Sequence, residues 1–122
     1  MNSFLLVFLG GGLGAAARHG VNRLGLATLG PGFPWWTVAI NLLGCLVMGM
    51  TAGLFARSGA SPDTRLFLTT GVLGGFTTFS AFSLDALTLW QRGQQGAAVL
   101  YVALSVVLSL AAVAVGALLV RA

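Results

Sequence analysis

The sequence predicts an all-α membrane protein with four transmembrane helices, and three observations support this fold class. Of the 122 residues, 57% are apolar and only 7% are charged, and the mean hydropathy is +0.98. A water-soluble globule needs many more charged side chains on its surface. The apolar residues fall into four long stretches joined by short connections. Each stretch is long enough to span lipid, because a helix needs about 20 mostly apolar residues to cross the hydrocarbon core.

The four predicted spans form a single transmembrane domain over residues 1–122. They cover residues 4–26, 35–56, 65–90 and 95–120. The second and fourth spans contain no charged residue, and the third contains none between Arg65, at its start, and Asp85, near its end. The first apolar stretch lacks the basic residues that precede the core of a signal peptide, so we interpret it as a retained span.

The connections between the spans are short, and each is rich in glycine, proline or polar residues. They cover residues 30–34, 58–62 and 91–94. Such short loops make consecutive helices antiparallel and leave no room for a soluble domain. Tryptophans lie at the predicted span ends, where indoles favour the headgroup boundary: Trp35, Trp36 and Trp90.

The net charge of +4 comes from six scattered arginines with no lysine and no basic cluster, which argues against nucleic acid binding. One side of the membrane is expected to hold Arg57, Arg65 and Arg121, and the other Arg18, Arg23 and Arg92. Because the Lys/Arg bias of short loops sets orientation, this balance predicts insertion in both orientations. The alternative is a single preferred orientation, set by a small charge bias that is hidden because only some of these arginines reach the membrane interface. Dual insertion would permit an antiparallel homodimer.

The third span contains the motif GGFTTFSAFS at residues 74–83. A glycine pair followed by two β-branched threonines continues a helix poorly, so we expect a break within this stretch, near mid-span. In lipid, irregular backbone survives only where it is buried in protein or lines a cavity. Carbonyls freed at such a break can coordinate a small cation. The alternative is a packing glycine pair, with the threonine hydroxyls bonded to the preceding turn.

Two sets of side chains could line a path for a small anion. Phe79 and Phe82 lie three residues apart on one helix face, and the edge of an aromatic ring carries partial positive charge. Tyr101, Ser105 and Ser109 form a hydroxyl stripe at every fourth residue of the fourth span. The alternatives are ordinary core packing for the rings and interhelical hydrogen bonding for the hydroxyls.

Two further polar residues lie within the predicted spans. The amide of Asn41 can donate to an anion, and its burial in lipid calls for a partner. Arg18 either acts at membrane depth or extends to the interface. Residues 12–17 fit a dinucleotide-binding fingerprint only formally, since they lie inside a span and follow no strand. With one His, one Cys and two Asp, the chain has no evident catalytic set, so we expect no enzyme activity.

Three motifs together closely resemble the bacterial Fluc (CrcB) fluoride channel family over essentially the whole chain. They are GGGLGAAAR at residues 10–18, TVAINLLG at 37–44 and GGFTTFSAFS at 74–83. The resemblance implies a fluoride-selective passive channel that exports fluoride from the cytoplasm and relieves fluoride toxicity. It also implies a multi-pass protein of the bacterial inner membrane, embedded in lipid as an antiparallel dual-topology homodimer with two pores.

The resemblance further implies roles for particular residues. Backbone carbonyls of Gly74 and Thr77 would hold a structural sodium ion at the dimer centre. Arg18 and Asp85 would lie in the vestibule. The fluoride pore would contain Asn41, Phe79, Phe82, Ser83, Tyr101, Ser105 and Ser109, with the two phenylalanines forming an aromatic box. Two positions depart from the family pattern: Asp85, where the family has Glu, and Val113, where the hydroxyl stripe can continue with Thr.

Two other functions are compatible with four small spans. A proton-coupled exporter of small cations needs a carboxylate within the membrane, and Asp85, toward a span end, is the one candidate. A non-conducting structural subunit would leave the hydroxyl stripe without a purpose.

Overall fold

The computed structural model describes residues 2–121 and contains four helical stretches long and apolar enough to cross a membrane. They are Ser3–Leu29, Trp35–Ser58, Pro62–Gln91 and Gln95–Arg121. The predicted all-α fold with four spans is therefore confirmed. Met1 and Ala122, the end residues of the predicted domain, lie outside the described residues.

Local capping makes the first two helices slightly longer than hydropathy predicts. The first, α1 (Ser3–Leu29), begins after Asn2, whose side chain accepts a hydrogen bond of 2.7 Å from an amide of the first turn. It ends at Gly30, which has a φ of +77°. The second, α2 (Trp35–Ser58), ends at Gly59 in the left-handed conformation that glycine adopts without a steric penalty. Capping residues, and not the loss of apolar character, decide where these helices end.

The third span is interrupted, as predicted, whereas the fourth, α6 (Gln95–Arg121), is continuous. The third span consists of α3 (Pro62–Leu66), a π-helical segment (Phe67–Leu73), α4 (Gly74–Phe76), irregular residues 77–79 and α5 (Ser80–Gln91). The Ser61 hydroxyl accepts from the amide of Thr64 (3.2 Å) and caps α3, which begins with a proline. Ser58, Pro62 and Gln91, predicted to lie in loops, are therefore helical.

The break near mid-span is confirmed, and it lies at residues 77–79, directly after the glycine pair. Gly74 and Gly75 are helical, and the Thr77 amide still donates to the Leu73 carbonyl at 3.0 Å. Thr77 itself is extended, with φ −80° and ψ 158°. A β-carbon on Gly75 would overlap the Gly11 backbone of α1, so this glycine allows close helix packing. The packing alternative is thus correct for Gly75, and the break follows at residues 77–79.

The π-helical segment Phe67–Leu73 lies in close contact with α1. This segment was not predicted from the sequence. A β-carbon on Gly10 would lie 2.8 Å from the Phe67 carbonyl oxygen and 3.0 Å from Cα of Gly71. One turn later, a β-carbon on Gly14 would overlap the Val72 carbonyl oxygen. The glycines of α1 therefore let two backbones touch where the third span is widened.

The fourth span packs along α2, and the two helices cross where Gly49 faces the Val113 carbonyl and Gly116 faces the backbone of Leu46 and Met50. The buried core is a small cluster at one end of this pair. Its members are Val38, Phe82, Leu89, Ala98 and Tyr101. Most other large apolar side chains are exposed, which suits a protein whose solvent is lipid.

We predict that Gly14→Ala destabilises the protein whereas Gly12→Ala does not. The new methyl group at position 14 would overlap the Val72 carbonyl and lie 2.8 Å from the Phe76 amide nitrogen, at a cost of about 1–3 kcal/mol. A methyl group at position 12 meets nothing within 4 Å. It should be neutral or stabilise the helix by up to about 1 kcal/mol. Thermal unfolding of both purified variants in detergent measures the difference, and equal stability would contradict the close contact.

Candidate functional site

A cavity of about 340 Å³ lies beside the break in the third span. Six residues that we expected at the pore or the sodium site line it: Asn41, Thr77, Phe79, Phe82, Ser105 and Ser109. Cys45, Thr78, Val106 and Leu110 complete the wall. The fold thus brings together side chains that are up to 69 residues apart in the sequence, from α2, the broken third span and α6. It brings no charged side chain to this cavity.

Asn41 holds the irregular backbone in place through both ends of its amide. Its Nδ2 donates to the Thr78 carbonyl at 3.0 Å, and its Oδ1 accepts from the Thr78 amide at 2.8 Å. The predicted partner of Asn41 is therefore the broken third span. One Nδ2 proton is left for another acceptor, since the amide has two.

The hydroxyl of Thr78 stabilises the start of α5. It accepts from the Ala81 amide at 3.0 Å, in the manner of a helix cap. The Thr77 hydroxyl instead donates to the Leu73 carbonyl at 3.0 Å. For Thr77, therefore, the alternative of bonding to the preceding turn is correct.

Phe79 and Phe82 form a ring pair at the cavity, with centroids 5.5 Å apart and planes inclined at 54°. They differ sharply in burial, because Phe79 is 78% exposed and Phe82 only 9%. Phe82 also lies 5.3 Å from the Tyr101 ring, which anchors it in the core cluster. One ring of the predicted aromatic box is therefore fixed, while the other projects from the surface of the single chain.

The predicted hydroxyl stripe on α6 is divided between two environments. Ser105 and Ser109 line the cavity, and the buried Ser105 hydroxyl makes no hydrogen bond within the described residues. Tyr101 is fully buried, and its hydroxyl donates to Oδ2 of Asp85 at 2.9 Å. Val113, which follows Ser109 in the same four-residue spacing, lies instead where α6 crosses α2 at Gly49.

Asp85 is held inside the protein by two hydroxyl groups. Thr37 donates to the same Oδ2 atom at 2.8 Å, alongside Tyr101. Thr37 is not among the residues predicted from the sequence, although it lies one helical turn before Asn41 and so shares its face. The carboxylate also lines a second cavity of about 160 Å³, together with Thr88 and Arg92. Asp85 is therefore hydrogen-bonded to Tyr101, which packs against Phe82. It also lines the cavity beside the loop that joins α1 and α2.

The remaining predicted residues lie outside the wall of the larger cavity. Half-buried Arg18 donates from Nε to the Gly75 carbonyl at 3.2 Å, so its side chain extends to the third span. Ser83 is exposed on α5, and its hydroxyl donates to the Phe79 carbonyl at 2.9 Å. Gly74 is exposed as well.

The backbone around the break offers oxygen donors that suit a hard cation such as sodium. The Thr78 amide binds Asn41 and the Ala81 amide binds the Thr78 hydroxyl, so neither closes a helical turn onto the carbonyl four residues earlier. Those carbonyls belong to Gly74 and Thr77, the two residues expected at the sodium site. Over residues 2–121 there is no group of three or more His, Cys, Asp or Glu side chains that could hold a metal ion.

The chain is similar to known proteins over nearly its full length. Residues 5–117 match the family described as CrcB-like protein, Camphor Resistance (CrcB). A protein of Sphingopyxis alaskensis named Fluoride-specific ion channel FluC is 52% identical over 122 residues, covering 99% of this chain and 97% of the relative. Proteins of the same name from Rhodopseudomonas palustris and Paracoccus denitrificans are 55% and 56% identical over 121 and 115 residues. These alignments cover 98% and 94% of this chain and 98% and 91% of the relatives.

We predict that Asn41→Leu loosens the irregular segment. The substitution leaves the Thr78 amide and carbonyl without partners inside the membrane, where each unsatisfied group costs several kcal/mol. Hydrogen exchange at the Thr78 amide should become faster and the unfolding temperature should fall. Asn22→Leu removes an amide from α1 that makes no hydrogen bond within residues 2–121, and it is the matched control. Equal exchange rates at Thr78 in both variants would show that Asn41 does not hold this segment.

Proposed function

This chain belongs to the CrcB-like family, and from that membership we propose that it is a fluoride-selective passive ion channel. It exports fluoride from the cytoplasm down its gradient and so relieves fluoride toxicity; it is not an enzyme. The observation that carries the proposal is the cavity beside the broken span, which neutral donors from three spans line together with Ser105, whose buried hydroxyl has no partner within the described residues.

The chemistry of this cavity suits a small, strongly hydrated anion. Removing water from fluoride requires replacement hydrogen bonds, and the remaining Asn41 proton and the hydroxyls of Ser105 and Ser109 can supply them. The edges of Phe79 and Phe82 add partial positive charge. Because none of these groups carries a full charge, fluoride can leave as well as bind, which conduction requires.

A sodium ion completes the proposed site, bound by the carbonyls of Gly74 and Thr77. When bound, it supplies a fixed positive field that favours anions over cations in a low-dielectric setting. The amides of Thr78 and Ala81 are engaged elsewhere, which supports the availability of both carbonyls. Arg18 is bonded to the neighbouring Gly75 carbonyl, so a second positive group lies near the break.

Two copies of the chain pair as an antiparallel homodimer in the bacterial inner membrane, surrounded by lipid. The balance of three arginines against three supports insertion in both orientations. Phe79, 78% exposed in the single chain, then gains contacts from the second copy. The dimer also doubles the number of carbonyl oxygens at a shared central sodium site.

The alternative of a proton-coupled exporter is not favoured. Its single candidate carboxylate, Asp85, accepts hydrogen bonds from Thr37 and Tyr101 and does not line the larger cavity. The Ser105 and Ser109 hydroxyls at that cavity also have a purpose in a channel that they lack in a purely structural subunit.

Fluoride efflux from liposomes tests the proposed function. Purified protein is reconstituted into vesicles loaded with potassium fluoride at equal internal and external pH, and valinomycin releases the compensating potassium. A fluoride electrode should record rapid efflux, whereas chloride-loaded vesicles should release their anion much more slowly. Absence of fluoride efflux, or efflux that requires a pH difference, would contradict a passive channel.

We predict that Phe79→Ile and Phe82→Ile each lower fluoride flux about tenfold or more, equivalent to an added barrier of at least about 1.4 kcal/mol. Each substitution removes one ring edge from the cavity while the protein stays assembled. Phe8→Ile is the matched control, because Phe8 is 75% exposed on α1 and far in sequence from the break. Size-exclusion elution and unfolding temperature separate a flux effect from misfolding. Unchanged flux in both cavity variants would remove the rings from the mechanism.

A further inference from the structure

Cys45, the one cysteine of the chain, faces the larger cavity. It is half-buried on α2, one helical turn after Asn41, and its thiol is free. A cysteine in an apolar helix often serves only as a small packing residue. Here, however, its side chain borders open space between α2 and α6.

An independent observation indicates that this space holds a ligand. Ser105 is only 5% exposed and lines the same cavity, and its buried hydroxyl makes no hydrogen bond within the described residues. Burying a hydroxyl without a partner is unfavourable, so a guest that bonds to it is expected. Cys45 therefore faces the space that this guest occupies.

We propose that Cys45 is a modification site in the ion path, at which small neutral thiol-directed electrophiles of the alkyl thiosulfonate class attach and block flux. The block rests on the proposed channel function, whereas attachment depends only on access to the cavity. Much of the wall is apolar, including Val106 and Leu110, so a neutral reagent can enter from lipid.

The attachment step is a thiol–disulfide type exchange. The Cys45 thiol gives its proton to water, and its sulfur attacks the alkylthio sulfur of the thiosulfonate. A new S–S bond forms, the bond between the alkylthio and sulfonyl sulfurs breaks, and the sulfinate anion leaves. The product is an alkylthio group beside Asn41, where it displaces ion and water without offering them a hydrogen-bond donor.

The experiment uses methyl and benzyl methanethiosulfonate on the purified, reconstituted protein. Because the chain has one cysteine, intact mass should show one adduct per chain. Fluoride efflux should fall about tenfold or more, with the benzyl reagent blocking at least as strongly as the methyl reagent. Reduction with dithiothreitol should release the adduct and restore the flux of the same sample.

Two variants distinguish block of the path from general damage, each compared with its own untreated flux. Cys45→Ala removes the thiol and should make flux insensitive to the reagents. Cys45→Ala combined with Val47→Cys moves the thiol two residues along α2, to a position that is 38% exposed and outside the cavity wall. This variant should take up the adduct and keep its flux.

Three results would overturn the proposal: an adduct on Cys45 without loss of flux, the same loss with the thiol at position 47, or reaction only after unfolding. Failure of the proposed function itself looks different, because the untreated protein would then carry no fluoride. Adduct formation in the folded protein would in that case still decide whether Cys45 is a modification site.

Discussion

The paired hydrogen bonds between the Asn41 side chain and the Thr78 backbone are the interaction on which the functional region depends. An unsatisfied amide or carbonyl in hydrocarbon costs several kcal/mol, so a broken helix at mid-span needs a dedicated partner. Asn41 satisfies both groups at distances of 3.0 and 2.8 Å. The break in turn reorients the chain before α5, places the two phenylalanine rings at the cavity and releases two backbone carbonyls from the helical hydrogen-bond pattern. The Asn41 side chain on α2 thus stabilises the irregular backbone that positions the cavity residues of the third span.

Small residues determine where the broken span can lie. The glycines of α1 bring its backbone against the π-helical segment and Gly75, and Gly49 and Gly116 do the same between α2 and α6. In lipid such close packing replaces the burial of apolar surface as the main source of helix association. The third span is therefore held against α1 on one side, while the cavity remains between it, α2 and α6. Helix packing and the cavity consequently lie on different faces of the same span.

The sequence predicts the four spans because length and hydropathy determine them directly, and it predicts several cavity residues because helical spacing places Ser105 and Ser109 on one face. It places the break near mid-span but does not give its exact residues, because Gly75 stays helical and packs against α1, a tertiary contact invisible to local propensity. The π-helical segment has no recognisable signal in the sequence. The hydrogen bonds from Thr37 and Tyr101 to Asp85 join α2, α5 and α6. No local sequence pattern indicates these contacts, because the residues are far apart in the sequence. The sequence likewise leaves open whether the Arg18 side chain extends to the membrane interface or into the protein. Its hydrogen bond to the Gly75 carbonyl depends on how the third span packs against α1.

The central claim is that an interrupted helix encloses an uncharged cavity, lined by a few hydrogen-bond donors, through which dehydrated fluoride passes. Solid-state fluorine NMR of isotopically labelled protein in bilayers, with fluoride as the permeant ion, tests this most directly. We expect through-space transfer from fluoride to the rings of Phe79 and Phe82 and to Ser105, together with non-helical chemical shifts at residues 77–79. Helical shifts at residues 77–79, or fluoride contacts confined to residues outside the cavity, would contradict the account.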